Sequence, residues 1–305
     1  MAKITKALYG LIGFPVKHSL SGAMHNAAFA ACNIPAEYKL FEVSPESLES
    51  FLLNNQELSG FNITIPHKVR ALEILEKKFP FGQNETEIES RYYVKLSGAI
   101  NTVKRTGSEL EYFNTDAAGF LMAAKEDLNF DFKGKTVMLF GCGGAGRAVV
   151  AALSWKNEKV KKIYLYDLRK EAILSLKEHL NKVPDDWRNI FQEKIEFIQE
   201  DQIAEKIKDC QLLVNASPLG MKAGDSSPIA KDLLHKGLSV YDLVYNRDTA
   251  LVREARQKCQ NAIGGLGMLL YQGVASWEIW TDRKASNEVI EVMKKALEKE
   301  LNKKC

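Results

Sequence analysis

The sequence has no run of about eighteen apolar residues, the length that a membrane-spanning helix needs, so no such helix is expected. It has no block of like charge either. The net charge of +3 is spread over 305 residues, which leaves no electrostatic footprint for nucleic acid. Cysteine is sparse: Cys32, Cys142, Cys210, Cys259 and Cys305 are far apart, odd in number and without a C-x-x-C pair. That spacing argues against a disulfide framework and for a reducing compartment. Histidine is equally scattered, with His18 and His25 seven apart and His67, His179 and His235 isolated, so no metal site is expected. The opening Met1-Ala-Lys-Ile-Thr-Lys carries no secretory pattern, and a soluble cytoplasmic protein is the expectation.

What is present is apolar content enough for two ordinary cores, at 46%, in a length that suggests two domains. The chain is organised around Lys135 to Val150. A β-branched and apolar run, Lys135-Thr-Val-Met-Leu-Phe140, enters the cluster Gly141-Cys-Gly143-Gly144-Ala145-Gly146, and that cluster opens an Ala- and Val-rich helix. In such an order Gly141 makes the tight turn off the strand, Gly143 lets the backbone approach a pyrophosphate, and Gly146 lets the helix lie close on the sheet. The helix start then offers N–H groups and a positive dipole end to phosphate. A second strand, Lys162-Ile-Tyr-Leu-Tyr-Asp167, ends in an acidic residue about twenty positions further on, where a ribose diol would lie. This context points to dinucleotide binding. The rival reading is another nucleoside site on a similar sheet, such as that of a methyltransferase.

Strand–helix–strand alternation starts well before that loop. Leu8–Gly13 reads as a buried strand, and Ser21 is placed as N-cap of a helix over 22–31. Ser19 and Ser21 admit two readings, plain caps or a pair of hydroxyls that hold a carboxylate. Ala36–Val43 reads as a strand, and Ser44-Pro45 starts a helix that runs to Asn54. Phe61–Ile65 reads as a strand with Asn62 and Thr64 on one face, and Lys68 opens the helix after Pro66. A lysine at that end opposes the helix dipole, which points to a task for it. A hairpin over Val103–Phe113 turns at Thr106-Gly107-Ser108, and Asp116 opens the helix Ala117–Leu128. Beyond the glycine loop, Pro184–Trp187 reads as a break and Ser239–Tyr245 as the last strand. Helices follow over Met268–Trp280 and Glu288–Leu301.

Seven motifs in order, Ser19-x-Ser21, Gly60-Phe-Asn-Ile-Thr-Ile-Pro-His-Lys68, Gly98-Ala-Ile-Asn-Thr102, Asn114-Thr-Asp-Ala-Ala-Gly119, Asn215-Ala-Ser217-Pro-Leu-Gly220-Met221, Asp242-Leu-Val-Tyr245 and Gly267-Met-Leu-Leu-Tyr-Gln272, together with the glycine loop, resemble the shikimate dehydrogenase family. The resemblance covers essentially the whole chain. It implies an α/β protein of two domains with a cleft between them: an N-terminal substrate-binding domain over 1–116, a Rossmann-type doubly wound parallel sheet over 117–264, and C-terminal helices over 265–305 that return to the first domain. It implies reversible NAD(P)-dependent reduction of 3-dehydroshikimate to shikimate, in the supply of aromatic amino-acid precursors. Lys68 and Asp116 would be the catalytic pair, since reducing a ketone needs a proton donor beside the new alkoxide. Ser19 and Ser21 would hold the substrate carboxylate, with Thr64, Asn101, Tyr245 and Gln272 on ring hydroxyls and Asn62 lining the same pocket; all can exchange hydrogen bonds with a polyol acid. Cofactor contacts would come from Gly141, Gly143, Gly144, Ala145, Gly146, Asp167, Arg169, Asn215, Ser217, Leu243 and Gly265.

Three stretches depart from the family pattern. The segment over 77–95 is longer and polar, and reads as a surface loop with an extra turn. After Tyr245 the run Asn246-Arg247-Asp248-Thr249 lacks the family's proline. At the end of the second nucleotide-binding strand, Asp167-Leu168-Arg169-Lys170 replaces an Asn-Arg-Thr run that reads NADP. A carboxylate there bonds a free 2′-OH and repels a 2′-phosphate, which favours NAD although NADP is the family default. NAD use also resembles the quinate/shikimate branch, so quinate is an alternative substrate. A non-catalytic nucleotide-sensing module is the alternative from another class, disfavoured by the retention of both Lys68 and Asp116. No nucleic acid or membrane partner is expected, and the protein is expected to be a monomer or homodimer.

Overall fold

The computed structural model describes residues 6–80, 88–155 and 159–303. The chain divides into two compact units, Met1–Gly119 with Leu269–Cys305, and Phe120–Met268. Both are α/β.

The first unit is built on a five-stranded sheet. Its strands are β1 (Ala7–Gly13), β2 (Ala36–Glu42), β3 (Leu58–Ile63), β4 (Thr102–Thr106) and β5 (Glu109–Phe113), in the order β2-β1-β3-β4-β5. β1 pairs parallel with β2 and β3, as its almost unbroken apolar sequence requires of a strand covered on both faces. β4 and β5 form the antiparallel hairpin anticipated around Gly107, whose φ of +63° suits the turn. The helices are α1 (Ser21–Ala31), α2 (Leu48–Asn54), α3 (Lys68–Lys78), α4 (Ile88–Ser97), α11 (Leu266–Thr281, in this unit from Leu269) and α12 (Asn287–Asn302). Ile12, Leu52, Leu58, Ile63, Leu75, Val94 and Val103 form one of its cores. α11 is tied to the sheet by Trp280, whose indole N–H donates to the Val103 carbonyl at 2.9 Å.

The second unit begins within α5 (Thr115–Glu126). Its sheet is six-stranded and wholly parallel: β6 (Thr136–Phe140), β7 (Lys162–Tyr166), β8 (Ile195–Phe197), β9 (Leu212–Asn215), β10 (Ser239–Asp242) and β11 (Asn261–Ile263), ordered β11-β10-β9-β6-β7-β8. Numbered from β6, this is the doubly wound dinucleotide-binding order, with the switch of direction between β6 and β9. The helices are α6 (Gly144–Ser154), α7 (Lys170–Lys182), α8 (Asp185–Lys194), α9 (Ile203–Lys206) and α10 (Ala250–Lys258).

Several local expectations are corrected. Ser21 is the first residue of α1 rather than its cap; Leu20 takes the cap position and no side chain bonds there. β3 stops at Ile63, and Thr64 enters a turn in which its carbonyl accepts the His67 N–H at 2.9 Å. Pro184 does not break the chain but precedes α8, where a missing N–H does no harm. β10 ends at Asp242 and is not the last strand. β11 follows it, three residues long and too short to show a period. Of the polar segment expected as a loop, 81–87 lie outside the described residues, and α4 begins at Ile88.

Candidate active site

In the first unit, Lys68 is the first residue of α3 and Asp116 lies in the first turn of α5. The carboxylate suits its helix start, whereas the ammonium opposes its own. The two are joined: Lys68 Nζ donates to Asp116 Oδ2, and the side chains are only 14% and 7% exposed. Asn101 takes the other oxygen, donating to Asp116 Oδ1 at 2.9 Å. The orientation of that amide is set from behind, because Asn101 Oδ1 accepts the Thr115 backbone N–H at 2.7 Å and so turns Nδ2 toward the carboxylate. The same Nδ2 lies 3.3 Å from Gln272 Oε1. Gln272 reaches this group because Gly119 has no side chain; a Cβ there would stand 2.7 Å from the Gln272 backbone nitrogen.

Asn62 joins the cluster from beneath. Its Oδ1 accepts the Tyr38 hydroxyl at 2.8 Å, and its Nδ2 bonds Thr102 Oγ1 at 3.0 Å and Ser276 Oγ at 2.9 Å. Thr64 is half-buried at the turn that leads into Pro66. Ser19 and Ser21 meet at the start of α1, with Ser19 Oγ 3.1 Å from Ser21 Oγ and accepting the Ser21 N–H at 3.2 Å. The cap role weighed for these hydroxyls is not the one they play.

Sequence reasoning missed the polar layer below the pair. Ser276 is fully buried; it bonds Thr102 Oγ1 at 2.8 Å and Thr115 Oγ1 at 3.2 Å, and donates to the Gln272 carbonyl at 2.9 Å. The available signal was its position four residues after Gln272, on the same helix face.

In the second unit, the glycine loop lies at the end of β6. Gly141 has φ +107°, the left-handed region that favours glycine. A Cβ on Gly146 would collide with the Gly141 carbonyl oxygen, so the helix and the turn can pack only with hydrogen at that position. Gly143 is open, with Arg169 Nη2 at 3.9 Å as the nearest atom to a Cβ built there. The first backbone bond of α6 is donated by Arg147 to the Gly143 carbonyl at 2.8 Å, so the N–H groups of Gly144, Ala145 and Gly146 precede the helical ladder. An open approach over Gly143, leading to N–H groups at a helix start, fits a dinucleotide pyrophosphate. Among the described residues no group of three or more His, Cys, Asp or Glu side chains is placed to hold a metal ion.

Asp167 follows β7 and faces this loop. Its Oδ2 accepts the Cys142 N–H at 2.7 Å and its Oδ1 the Arg169 N–H at 2.9 Å. The Arg169 guanidinium, 63% exposed on its side chain, lies against the same carboxylate at 3.4 Å. Burial pushes the thiol of Cys142, inside the loop, up to about 12, which disfavours the thiolate.

At the C-terminal ends of β9 and β10, Asn215 Oδ1 accepts both the N–H and the hydroxyl of Ser217, at 3.1 and 2.6 Å. Leu243 N–H donates to the Asn215 carbonyl at 2.9 Å, and Gly265 N–H to that of Val244 at 3.0 Å. A Cβ on Gly265 would collide with the Leu243 backbone, which explains the glycine. Tyr245 follows, with its phenol pushed up by burial. Asp242, to which sequence reasoning assigned no role, is fully buried beside Asn215.

Comparison with known proteins gives a consistent picture. Residues 11–81 match the model of the shikimate dehydrogenase substrate binding domain, and residues 265–298 that of the shikimate 5'-dehydrogenase C-terminal domain. A shikimate dehydrogenase (NADP(+)) of Methanopyrus kandleri is 37% identical over 94% of this chain and 93% of its own. A crystal structure of a shikimate dehydrogenase in complex with NADP+ superposes with a TM-score of 0.79 at 32% identity, covering 99% of this chain and 98% of that one. The Thermus thermophilus shikimate 5-dehydrogenase in complex with NADP(H) and shikimate gives a TM-score of 0.77 at 29% identity, over 96% and 99% of the two chains.

Proposed function

Because the chain belongs to the shikimate dehydrogenase family, we propose that it interconverts 3-dehydroshikimate and shikimate with a nicotinamide dinucleotide, in the cytoplasm. The observation that carries this reading is the Lys68–Asp116 pair, sunk among Asn101 and Gln272. When bound, the nicotinamide supplies the hydride for the carbonyl carbon. Lys68 Nζ gives its proton to the carbonyl oxygen as that oxygen gains charge, and takes a proton from the hydroxyl in the reverse direction. Asp116 holds the ammonium in place, and Asn101 holds Asp116. Ser19 and Ser21 bind the carboxylate. Thr64, Asn101, Tyr245 and Gln272 bond the ring hydroxyls, and Asn62 lines the same pocket. In domain terms, residues 1–116 with 265–305 supply most of the contacts to the polyol acid and 117–264 most of those to the dinucleotide.

The pyrophosphate is assigned to the N–H groups of Gly144, Ala145 and Gly146, with Gly141 and Gly143 leaving room for it. Asn215, Ser217, Leu243 and Gly265 line the nicotinamide half. Asp167 supports NAD over NADP. Its carboxylate is pinned by two backbone N–H groups and cannot turn away from a 2′-phosphate, whereas a 2′-OH can donate to it. Shikimate dehydrogenases of Methanopyrus kandleri and Methanobrevibacter smithii are NADP(+) enzymes by name; the preference proposed for this chain rests on Asp167 alone.

Purified protein mixed with shikimate and NAD or NADP, followed at the absorbance band of the reduced nicotinamide, tests both points. Turnover with shikimate is expected, faster with NAD. Absence of turnover with either cofactor overturns the activity; comparable kcat/KM with the two overturns the cofactor preference alone.

A further inference from the structure

Asp242 ends β10 beside Asn215 at the end of β9, and it is fully buried. Its hydrogen-bond partners are neutral. Oδ1 accepts the Asn215 amide at 2.9 Å and the Val244 N–H at 3.1 Å, and Oδ2 accepts the Thr249 hydroxyl at 2.6 Å. Burial pushes this carboxyl up from the usual range while the three donors pull it down. A carboxylate held in the interior by neutral donors alone is an expensive group to keep for packing, where an apolar side chain would serve.

The three bonds lead to three segments. Thr249 is the N-cap of α10, where its hydroxyl accepts the Val252 N–H at 3.2 Å. Val244 precedes Tyr245. Asn215 builds the loop after β9, and its amide has one orientation that satisfies every neighbour: Nδ2 toward Asp242 and the Leu219 carbonyl at 3.1 Å, Oδ1 toward the two donors of Ser217. An amide in place of Asp242 would face Asn215 with a donor in one of its two orientations and would let that side chain turn over.

We infer that Asp242 is a positioning residue that locks the Asn215 amide, and through it the 215–219 loop, in register with the Leu243–Tyr245 loop. The inference rests on the assignment of those loops to the dinucleotide. Asp242 touches neither ligand; it acts by holding the groups that do. Its role is separable from that of Thr249, which shares the carboxylate but serves α10.

The test is NADH and NADPH titration by nicotinamide fluorescence, with thermal unfolding measured on each variant. Asp242→Asn is expected to weaken dinucleotide binding about tenfold or more, whereas Thr249→Val lowers Tm and leaves binding within about twofold. Asn215→Asp keeps the acceptor for Ser217 but sets one carboxylate against another, and is expected to lose about tenfold as well. The double variant Asn215→Asp/Asp242→Asn restores a donor–acceptor pair in the opposite sense and is expected to recover part of that loss, the Leu219 carbonyl and the Val244 N–H being left mismatched. Binding that falls in step with Tm in Asp242→Asn and Thr249→Val alike, or a double variant no better than Asn215→Asp, overturns the inference. Where Asp242→Asn does not fold by itself, the comparison of Asn215→Asp with the double variant decides. Wild-type protein that binds neither dinucleotide overturns the functional reading together with this one, whereas wild-type binding with no separation of the variants overturns this one alone.

Discussion

Asn101 donates to the oxygen of Asp116 that Lys68 leaves open, at 2.9 Å, while its own carbonyl oxygen is fixed by the Thr115 backbone N–H. The carboxylate is therefore gripped from both ends, and the ammonium has one direction in which to present itself. General acid–base catalysis depends on that direction, because a proton moves only across hydrogen-bond distance. Lys68→Ala is expected to lower kcat by about a hundredfold or more while shikimate still binds. A kcat within about tenfold of wild type shows that Lys68 is not the acid/base. Asn101→Asp, which sets a second carboxylate against Asp116, is expected to raise the shikimate KM and lower kcat together; unchanged steady-state kinetics would remove Asn101 from the site.

The proposed preference for NAD rests on Asp167. Asp167→Asn removes the charge that a 2′-phosphate would meet and keeps an oxygen for the 2′-OH. The NAD-to-NADP ratio of kcat/KM is expected to fall by about tenfold, the equivalent of roughly 1.4 kcal/mol. A ratio that does not move assigns the discrimination to other residues.

His25 lies fully buried on α1, stacked on Tyr38 with ring centroids 4.5 Å apart. Burial pushes its imidazole down to about 3 from an ordinary 6.5. The folded state thus binds fewer protons than the unfolded chain once the pH falls below 6.5, so stability is full above that pH and is lost on acidification toward 3. At pH 5 the loss from this one group is about 2 kcal/mol. Chemical denaturation at pH 7 and pH 5 should show His25→Gln losing less stability than wild type between the two; equal losses would mean that His25 does not titrate in this way.

Gly60 faces the indole of Trp280, and a Cβ there would stand 2.6 Å from Nε1, the atom that donates to Val103. Gly60→Ala is expected to push the indole off that carbonyl and destabilise the fold by about 1–3 kcal/mol, seen as a fall in Tm. An unchanged Tm would mean that α11 shifts without loss.

Much of the second unit was legible before any coordinates. Gly141 and Gly146 follow from the turn and the close packing that a strand–loop–helix passage needs, and the acidic Asp167 from its distance along the chain. The apolar strands read over Leu8–Gly13 in the first unit and Lys135–Phe140 in the second needed only their composition. Short elements were not legible: β11 has three residues and α8 sits behind a proline, and neither length nor punctuation announced them.

The amino-acid sequence by itself determined the local features of the candidate site, because a glycine loop, a lysine at a helix start and an aspartate in a first turn have local causes. The tertiary structure alone decided what those residues touch. Ser276 meets Asn62 from 214 positions away, Asn101 meets Gln272 from 171, and Asp242 meets Asn215 from 27. A hydrogen bond is made by atoms within about 3 Å of each other, and separations of that size along the chain carry no trace of such contact until the sheets and helices have packed.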